Sequence, residues 1–226
     1  MNVVLFGASG MVGQGVLREC LLDPDVQSVL SIGRSATGAR DPKLRELVHR
    51  DFTDFSSIES QLSGFEACFF CLGVSSVGLK EGDYRRVSYD FTMAAARVLV
   101  KLNPGMTFVY VSGTGTDSSE RGRTMWARVK GKTENDLFRL PFRAAYMFRP
   151  GVIVPLHGIK SRTKAVRVAY AAIGPLLPLV RAVFPKYVTT TELLGRAMIN
   201  AAKHGAPTTL LENADINELG RSRVSP

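Results

Sequence analysis

The chain has 226 residues, of which 45% are hydrophobic and 22% charged, enough for one large core and ordinary for a soluble globular protein. Its three cysteines are too few and of the wrong parity for a disulfide framework. They suit a reducing compartment, so a cytoplasmic location is expected, and the opening on an apolar strand rather than a charged, apolar and cleavable leader argues against secretion. The net charge of +9 is local: no Asp or Glu occurs from Leu137 to Thr191, where nine Lys and Arg lie, and the rest of the chain is neutral. No aromatic–basic interleaving accompanies that window, so nucleic acid is not the expected partner. An anionic small ligand fits at least as well, as does an anionic membrane surface.

The first element is an apolar run, Val3 to Phe6, followed by Gly7-Ala8-Ser9-Gly10-Met11-Val12-Gly13 and a stretch with helical spacing (Val12, Val16, Leu17, Cys20, Leu21). Strand, glycine turn and helix in that order make a phosphate site. Gly7 lets the chain turn off the strand, Gly10 lets backbone approach a pyrophosphate, and Gly13 lets the helix lie close. The free N–H groups of Ser9, Met11 and Val12 then face the phosphates at the positive end of the helix dipole. The alternative is a plain glycine-rich loop.

A second strand, Ser28 to Ile32, ends in Gly33-Arg34-Ser35. In dinucleotide folds an acid at this place holds the ribose 2′-hydroxyl, whereas an arginine accommodates a 2′-phosphate. Arg34 with Ser35 therefore predicts NADP(H) in preference to NAD(H); the other reading of Arg34 is a solvated loop cation. Leu47 to Phe52 reads as a third strand, with Asp51 placed to meet an adenine amino group or to cap its own loop, Phe52 beside it, and a helix over Phe55 to Leu62. A fourth strand, Glu66 to Leu72, ends in Gly73, where backbone can approach the cofactor. Cys68 and Cys71 lie in that strand three apart, on opposite faces, which argues against a redox pair or a metal half-site.

Asp83 to Lys101 carries helical spacing, and Met106 to Ser112 is a fifth strand. This alternation predicts an α/β fold with a doubly wound parallel sheet (Rossmann-like) and a small helical C-terminal portion. Ligands in such sheets sit outside the carboxyl ends of the strands, where Gly7, Arg34, Asp51, Gly73 and Ser112 all fall. A polar loop over Gly113 to Arg123, a helix over Thr124 to Leu140 and a sixth strand over Ala144 to Phe148 follow, leading to Arg149-Pro150-Gly151-Val152. Ala165 to Phe184 is apolar but broken by Arg167, Pro175, Pro178 and Arg181, well short of the roughly twenty uninterrupted residues of a membrane span. It predicts two short helices over the active-site edge. Thr189-Thr190-Thr191-Glu192 offers a helix start, Leu210-Leu211 a last strand, and Gly220 to Pro226 a frayed tail. One domain over 1–226 is expected, with 153–226 supplying the substrate-side helices.

GASGMVG at the start, a Ser-ended fifth strand, Lys130 in Val129-Lys130-Gly131-Lys132-Thr133-Glu134, and Arg149-Pro150-Gly151 together resemble the atypical short-chain dehydrogenase/reductase superfamily. Within it the chain looks most like the Tat-interacting-protein-like oxidoreductases and their bacterial NAD(P)H-binding or epimerase-like relatives, over residues 1 to 200. The resemblance implies an oxidoreductase whose cofactor is held at the glycine turn, at Leu72, Ser112, Lys130 and over Pro150 to Val152, with a small carbonyl, hydroxyl or enol substrate. It also implies a Ser, Tyr and Lys catalytic set. Ser112 matches the serine, with Thr114 a rival, and Lys130 matches the lysine. Four residues before Lys130 stands Trp126 in place of the tyrosine, and an indole N–H donates a hydrogen bond but shuttles no proton near neutral pH. Trp126 is read either as a core aromatic or as a stacking or lid residue, and the chain either as an enzyme or as an NADP(H)-binding sensor or scaffold. Tyr84, Tyr89 and Tyr146 have no spacing that ties them to Lys130. His49, His157 and His204 are expected in loops or at the surface, and no metal is expected.

Overall fold

The computed structural model describes residues 1–159 and 186–222. Seven strands form one all-parallel sheet: β1 (Asn2–Phe6), β2 (Ser28–Gly33), β3 (Leu44–Val48), β4 (Ala67–Phe70), β5 (Thr107–Val111), β6 (Ala144–Arg149) and, last in the sheet order 3-2-1-4-5-6-9, the strand β9 (Leu210–Glu212). A separate parallel pair, β7 (Val152–Val154) with β8 (Val188–Thr190), flanks it. The α-helices of the described residues are α1 (Met11–Leu22), α2 (Glu81–Arg85), α3 (Phe91–Leu102), α4 (Met125–Phe138), α5 (Thr191–His204) and α6 (Asn213–Arg221).

The period-two alternation of β1 decides the layers. Val3 and Leu5 face one core with α1, α5 and α6 (Val16, Leu194, Met198, Ile216), while Val4 and Phe6 face the other with Phe52, Phe55, Leu99 and Phe108. Both faces of the sheet are covered, as a parallel sheet requires, and this is why β4 reads as the unbroken apolar run Ala-Cys-Phe-Phe. Cys68 and Cys71 do separate onto the two cores, and burial pushes both thiols well above their ordinary range.

Several boundaries differ from the sequence expectation. The third strand is Leu44–Val48, not 47–52. As an edge strand, half exposed, it tolerates Arg45 and Glu46, whose charge hides it from an apolar search. Asp51 and Phe52 consequently lie beyond it in a turn. Residues 56–61 form a 3₁₀ turn, not an α-helix, because Phe55 and Ile58 only need to drop into the core. The helix around 83–101 starts at Glu81 and contains one π-helical turn, Arg86–Asp90. There the Ser88 carbonyl receives the hydroxyls of Thr92 (2.9 Å), Thr133 (3.3 Å) and Tyr110 (3.4 Å), which tie this helix to α4 and β5. Such turns often mark functional regions.

The C-terminal part is built into the domain rather than laid over it. Thr190 caps α5 by accepting the Leu193 N–H at 3.0 Å, and α5 crosses α1 at small residues, where a side chain at Gly15 would meet Thr191 at 2.6 Å. Gly220, expected in a frayed tail, is instead buried in α6, where a Cβ would lie 2.3 Å from the Leu193 carbonyl. The short helices expected between Ala165 and Phe184 lie outside the described residues. No helix of the described residues is long and apolar enough to cross a membrane.

Candidate dinucleotide site

The register lines up the carboxyl ends of the strands. Phe6 pairs with Ile32 and Phe70, Phe70 with Tyr110, and Val111 with Phe148. Gly7, Arg34, Leu72, Gly73, Ser112 and Pro150 therefore follow one edge of the sheet. The strand order, not the strand direction, reverses between β1 and β4, the crevice where such sheets take ligands. Gly7 stands at that point with φ +80°, and a Cβ on it would lie 2.7 Å from the Cys71 and Leu72 backbone. A Cβ on Gly13 would lie 2.1 Å from the Gly7 carbonyl oxygen, so helix and turn touch. Gly10 donates its N–H to that carbonyl at 2.9 Å. As residue before the first turn of α1 it offers no side-chain cap, and no acid stands in that turn. The first N–H groups of α1, those of Met11 and Val12 included, thus keep the electropositive end open for a phosphate. This turn, closed to a side chain at Gly7 and Gly13 and uncapped, fits a dinucleotide pyrophosphate.

The other predicted cofactor residues divide into open and committed ones. Ser9 and Met11 are half-buried on the turn, while Arg34, Ser35, Gly73 and Val152 are exposed. A Cβ on Gly73 would meet nothing within 4 Å, so its local packing does not demand glycine. Asp51 caps its own loop, accepting the Thr53 N–H at 2.9 Å and hydroxyl at 2.5 Å, and those bonds hold its carboxyl below the usual range. Phe52 turns its ring into the core against Phe6, so only its backbone remains for a ligand. Pro150 is buried with its carbonyl on the Thr114 N–H at 3.0 Å. Gly151 donates to Asn213 Oδ1 at 2.8 Å and abuts the Tyr187 carbonyl, where a Cβ would come within 2.4 Å; it closes the β7–β8 pair.

Ser112, Trp126 and Lys130 are brought together by α4 and the loop over 113–123. A Cβ on Gly131 would lie 1.8 Å from the Asp117 carbonyl oxygen, so only glycine lets the loop lie on the helix there. Asp117 keeps the loop folded by accepting the Gly122 N–H and the Ser119 hydroxyl, both at 2.6 Å. Lys130, half-buried, donates through Nζ to the Ser112 carbonyl oxygen. Burial lowers its ammonium to about 8, the Glu134 carboxylate one turn on acting in the opposite direction. Trp126 is half-buried, not a core side chain, and its ring edge stands 3.5 Å from the Cβ position of Gly115. The hydroxyls of Ser112 and its rival Thr114 both donate to backbone carbonyls, of Phe148 and Arg149, each at 3.1 Å.

Glu134 and Arg149 were not singled out as a pair by the sequence, although Glu134 stands one helical turn after Lys130. Both are buried, and Arg149 grips both oxygens of Glu134 at 2.5 and 3.1 Å while also donating to Ser118 at 2.6 Å. The cation of Arg-Pro-Gly is therefore a clamp between β6, α4 and the loop, unavailable to an anion. Arg139 and Arg143 of the basic window are likewise committed, to Asp136 and to Thr107 and the Ala202 carbonyl. Lys160, Arg162, Lys164, Arg167 and Arg181 lie outside the described residues.

Tyr84 is buried, Tyr89 donates to Asp136 at 2.6 Å, and Tyr146 accepts the Ala206 N–H at 3.2 Å. His49, expected in a loop or at the surface, lies in the loop after β3 but is buried against Phe55, with Nε2 on the Asp54 carbonyl at 2.8 Å. His157 pairs with Glu192 at 2.8 Å, and with Glu19 they present three ligating atoms within 4.8 Å. Arg18 and Arg196 already neutralise these carboxylates (2.5 to 3.1 Å), so the group is an ion-pair network joining α1 to α5.

The sheet order and the glycine turn at its crevice define a Rossmann-like dinucleotide fold. Similar solved structures agree. One is the Bordetella bronchiseptica enzyme WbmF in complex with NAD+, at 14% identity over 96% of this chain and 76% of that one, TM-score 0.66. Another is a short-chain dehydrogenase/reductase family oxidoreductase from Burkholderia thailandensis, at 13% identity over 95% and 92%, TM-score 0.65. At such identities the likeness is one of fold. No family model matches the chain. Among curated proteins it is similar to "Protein fmp52, mitochondrial" of Emericella nidulans, 26% identical over 88% of this chain and 86% of that protein. It is also similar to "Protein fmp52-2, mitochondrial" of Aspergillus oryzae, 25% identical over 97% of each. FMP52 proteins thus stand where the sequence resemblance named Tat-interacting-protein-like oxidoreductases. The expected cytoplasmic location is overturned by these relatives, whose names place them in mitochondria: reduced cysteines distinguish only oxidising from reducing compartments.

Proposed function

We propose that the chain is an NADP(H)-preferring oxidoreductase acting on a small carbonyl, hydroxyl or enol substrate. The observation that carries the reading is the glycine turn, closed to a side chain at Gly7 and Gly13, under the uncapped start of α1, at the crevice between β1 and β4. The Gly7–Val12 backbone would hold the pyrophosphate, Arg34 with Ser35 the 2′-phosphate, and Lys130 the nicotinamide ribose. A bound nicotinamide supplies hydride transfer. Trp126 and the 113–116 loop would then line the substrate side. A second reading, a dinucleotide-binding sensor or scaffold, is favoured by one observation, the indole of Trp126 in place of a phenol.

Calorimetric titration with both cofactors tests the preference. Arg34→Ala is expected to weaken NADPH binding by about 1.5–3 kcal/mol, the range for hydrogen bonds to charged groups, or roughly 10- to 150-fold, with NADH hardly changed. Equal losses for both cofactors would remove Arg34 from the site. The partner in this reading is a small molecule, with neither nucleic acid nor membrane. The protein is accordingly expected not to cosediment with anionic vesicles, and salt-sensitive cosedimentation would assign the basic window to a membrane instead.

A further inference from the structure

We propose that Lys130 is the proton donor of this site, and that its substrates are conjugated carbonyl compounds, enones or quinones, lying against the Trp126 indole. The proposal rests on the oxidoreductase reading and concerns what replaces the absent phenol. The hydroxyls nearest to hand are engaged: Ser112 donates to the Phe148 carbonyl, Thr114 to that of Arg149, and Thr116 to that of Gly113 at 2.7 Å. A hydroxyl has one proton to give, and each of these is given to backbone. The Trp126 N–H donates a hydrogen bond without releasing its proton. The Lys130 ammonium has three N–H bonds, of which one goes to the Ser112 carbonyl. It therefore keeps donors for both a ribose and a substrate oxygen.

Its surroundings favour release of a proton. The Ser112 carbonyl faces it from the end of β5, and Glu134 faces it from its own helix. That carboxylate is held in turn by Arg149 from β6, so its charge is largely answered elsewhere. Desolvation then dominates and brings the ammonium to about 8, near enough to neutrality for general acid work.

An acid held behind an indole suits some acceptors better than others. Hydride addition to the β-carbon of an enone breaks the C=C π bond and places the electron pair on oxygen as an enolate, while the nicotinamide is oxidised by two electrons. An N–H bond of Lys130 breaks as the enolate takes that proton, and the neutral amine is reprotonated from solvent. The enolate is resonance-stabilised, so its proton need not arrive as the hydride does. An isolated ketone would instead pass through a far more basic alkoxide that needs an acid in line at that moment. The half-exposed indole offers a planar conjugated acceptor a stacking wall.

Trp126 is the chain's one tryptophan, so intrinsic emission reports from beside Lys130 without any ligand. The emission of the ligand-free protein is expected to change in one step near pH 8. The step should vanish in Lys130→Met and also in Lys130→Arg, which keeps the positive charge if the methionine variant does not fold. No step in the wild type, or one that persists in both variants, overturns the proposal. In the second arm, with NADPH binding measured by calorimetry, cyclohexenone should be reduced at least about tenfold faster than cyclohexanone. Lys130→Arg should lower kcat about 10²-fold at saturating NADPH, and the wild-type rate should fall above the pH of the emission step. Equal rates on the two ketones, or an unchanged kcat in Lys130→Arg, overturn it. Absence of binding of either dinucleotide is a separate result, which removes the oxidoreductase reading and this one with it.

Discussion

Arg149→Met is expected to destabilise the protein by about 3–5 kcal/mol, because it leaves the buried Glu134 carboxylate without its counter-charge. Glu134 is fully buried, and Arg149 supplies two of its hydrogen bonds. Methionine fills much of the aliphatic volume but returns neither the charge nor the donors. Removing both charges in Glu134→Leu/Arg149→Met should recover most of the loss, since two apolar groups of similar size replace a pair whose desolvation opposed its attraction. Urea unfolding of the four proteins gives the coupling, and additive losses would show that the two residues act independently. The clamp also reaches Ser118 and Glu212. Arg149→Met should therefore loosen the loop over 113–123 from α4 and raise its hydrogen exchange before the sheet opens.

The fold was legible because a buried parallel sheet writes itself plainly. β1, β4 and β5 are apolar runs ended by Gly7, Gly73 and Ser112, and the helices between them carry their period in Val16, Cys20, Ala95 and Leu99. What escaped was either half-exposed or held by distant partners. β3 carries charges because it is an edge, and α6 was hidden because its capping box, Glu212 with Asp215, opens a polar segment anchored by Ile216 and a buried glycine. The site was legible where chemistry is local: the glycine turn, Arg34, and Lys130 with Trp126 one turn before it. It was not legible where a role depends on who faces whom. Nothing in the order of residues joins Arg149 to Glu134, turns Phe52 inward, or directs the hydroxyls of Ser112, Thr114 and Thr116 onto carbonyls.

Gly13→Ala and Gly10→Ala should separate the two tasks of the glycine turn. At Gly13 a Cβ would stand 2.1 Å from the Gly7 oxygen and 2.6 Å from its carbonyl carbon, all backbone, so α1 must lift off the turn. Overpacking of this kind costs about 1–3 kcal/mol, and for a domain of this size each kcal/mol lowers Tm by about 2–4 °C. At Gly10 the nearest atom to a Cβ is the same Gly7 oxygen at 3.3 Å, which asks only a few tenths of an ångström of adjustment. The Gly10→Ala fold should accordingly stay within about 1 kcal/mol of the wild type. Its methyl group would nevertheless stand at the uncapped entrance to α1, where the pyrophosphate must approach the Met11 and Val12 N–H groups. NADPH binding should weaken about tenfold or more in Gly10→Ala, a loss of about 1.4 kcal/mol or greater, while Tm hardly moves. Gly13→Ala should lower both. Thermal melts and calorimetric titration of the two variants decide the matter: unaltered NADPH affinity in Gly10→Ala would mean that the phosphates do not rest on this turn.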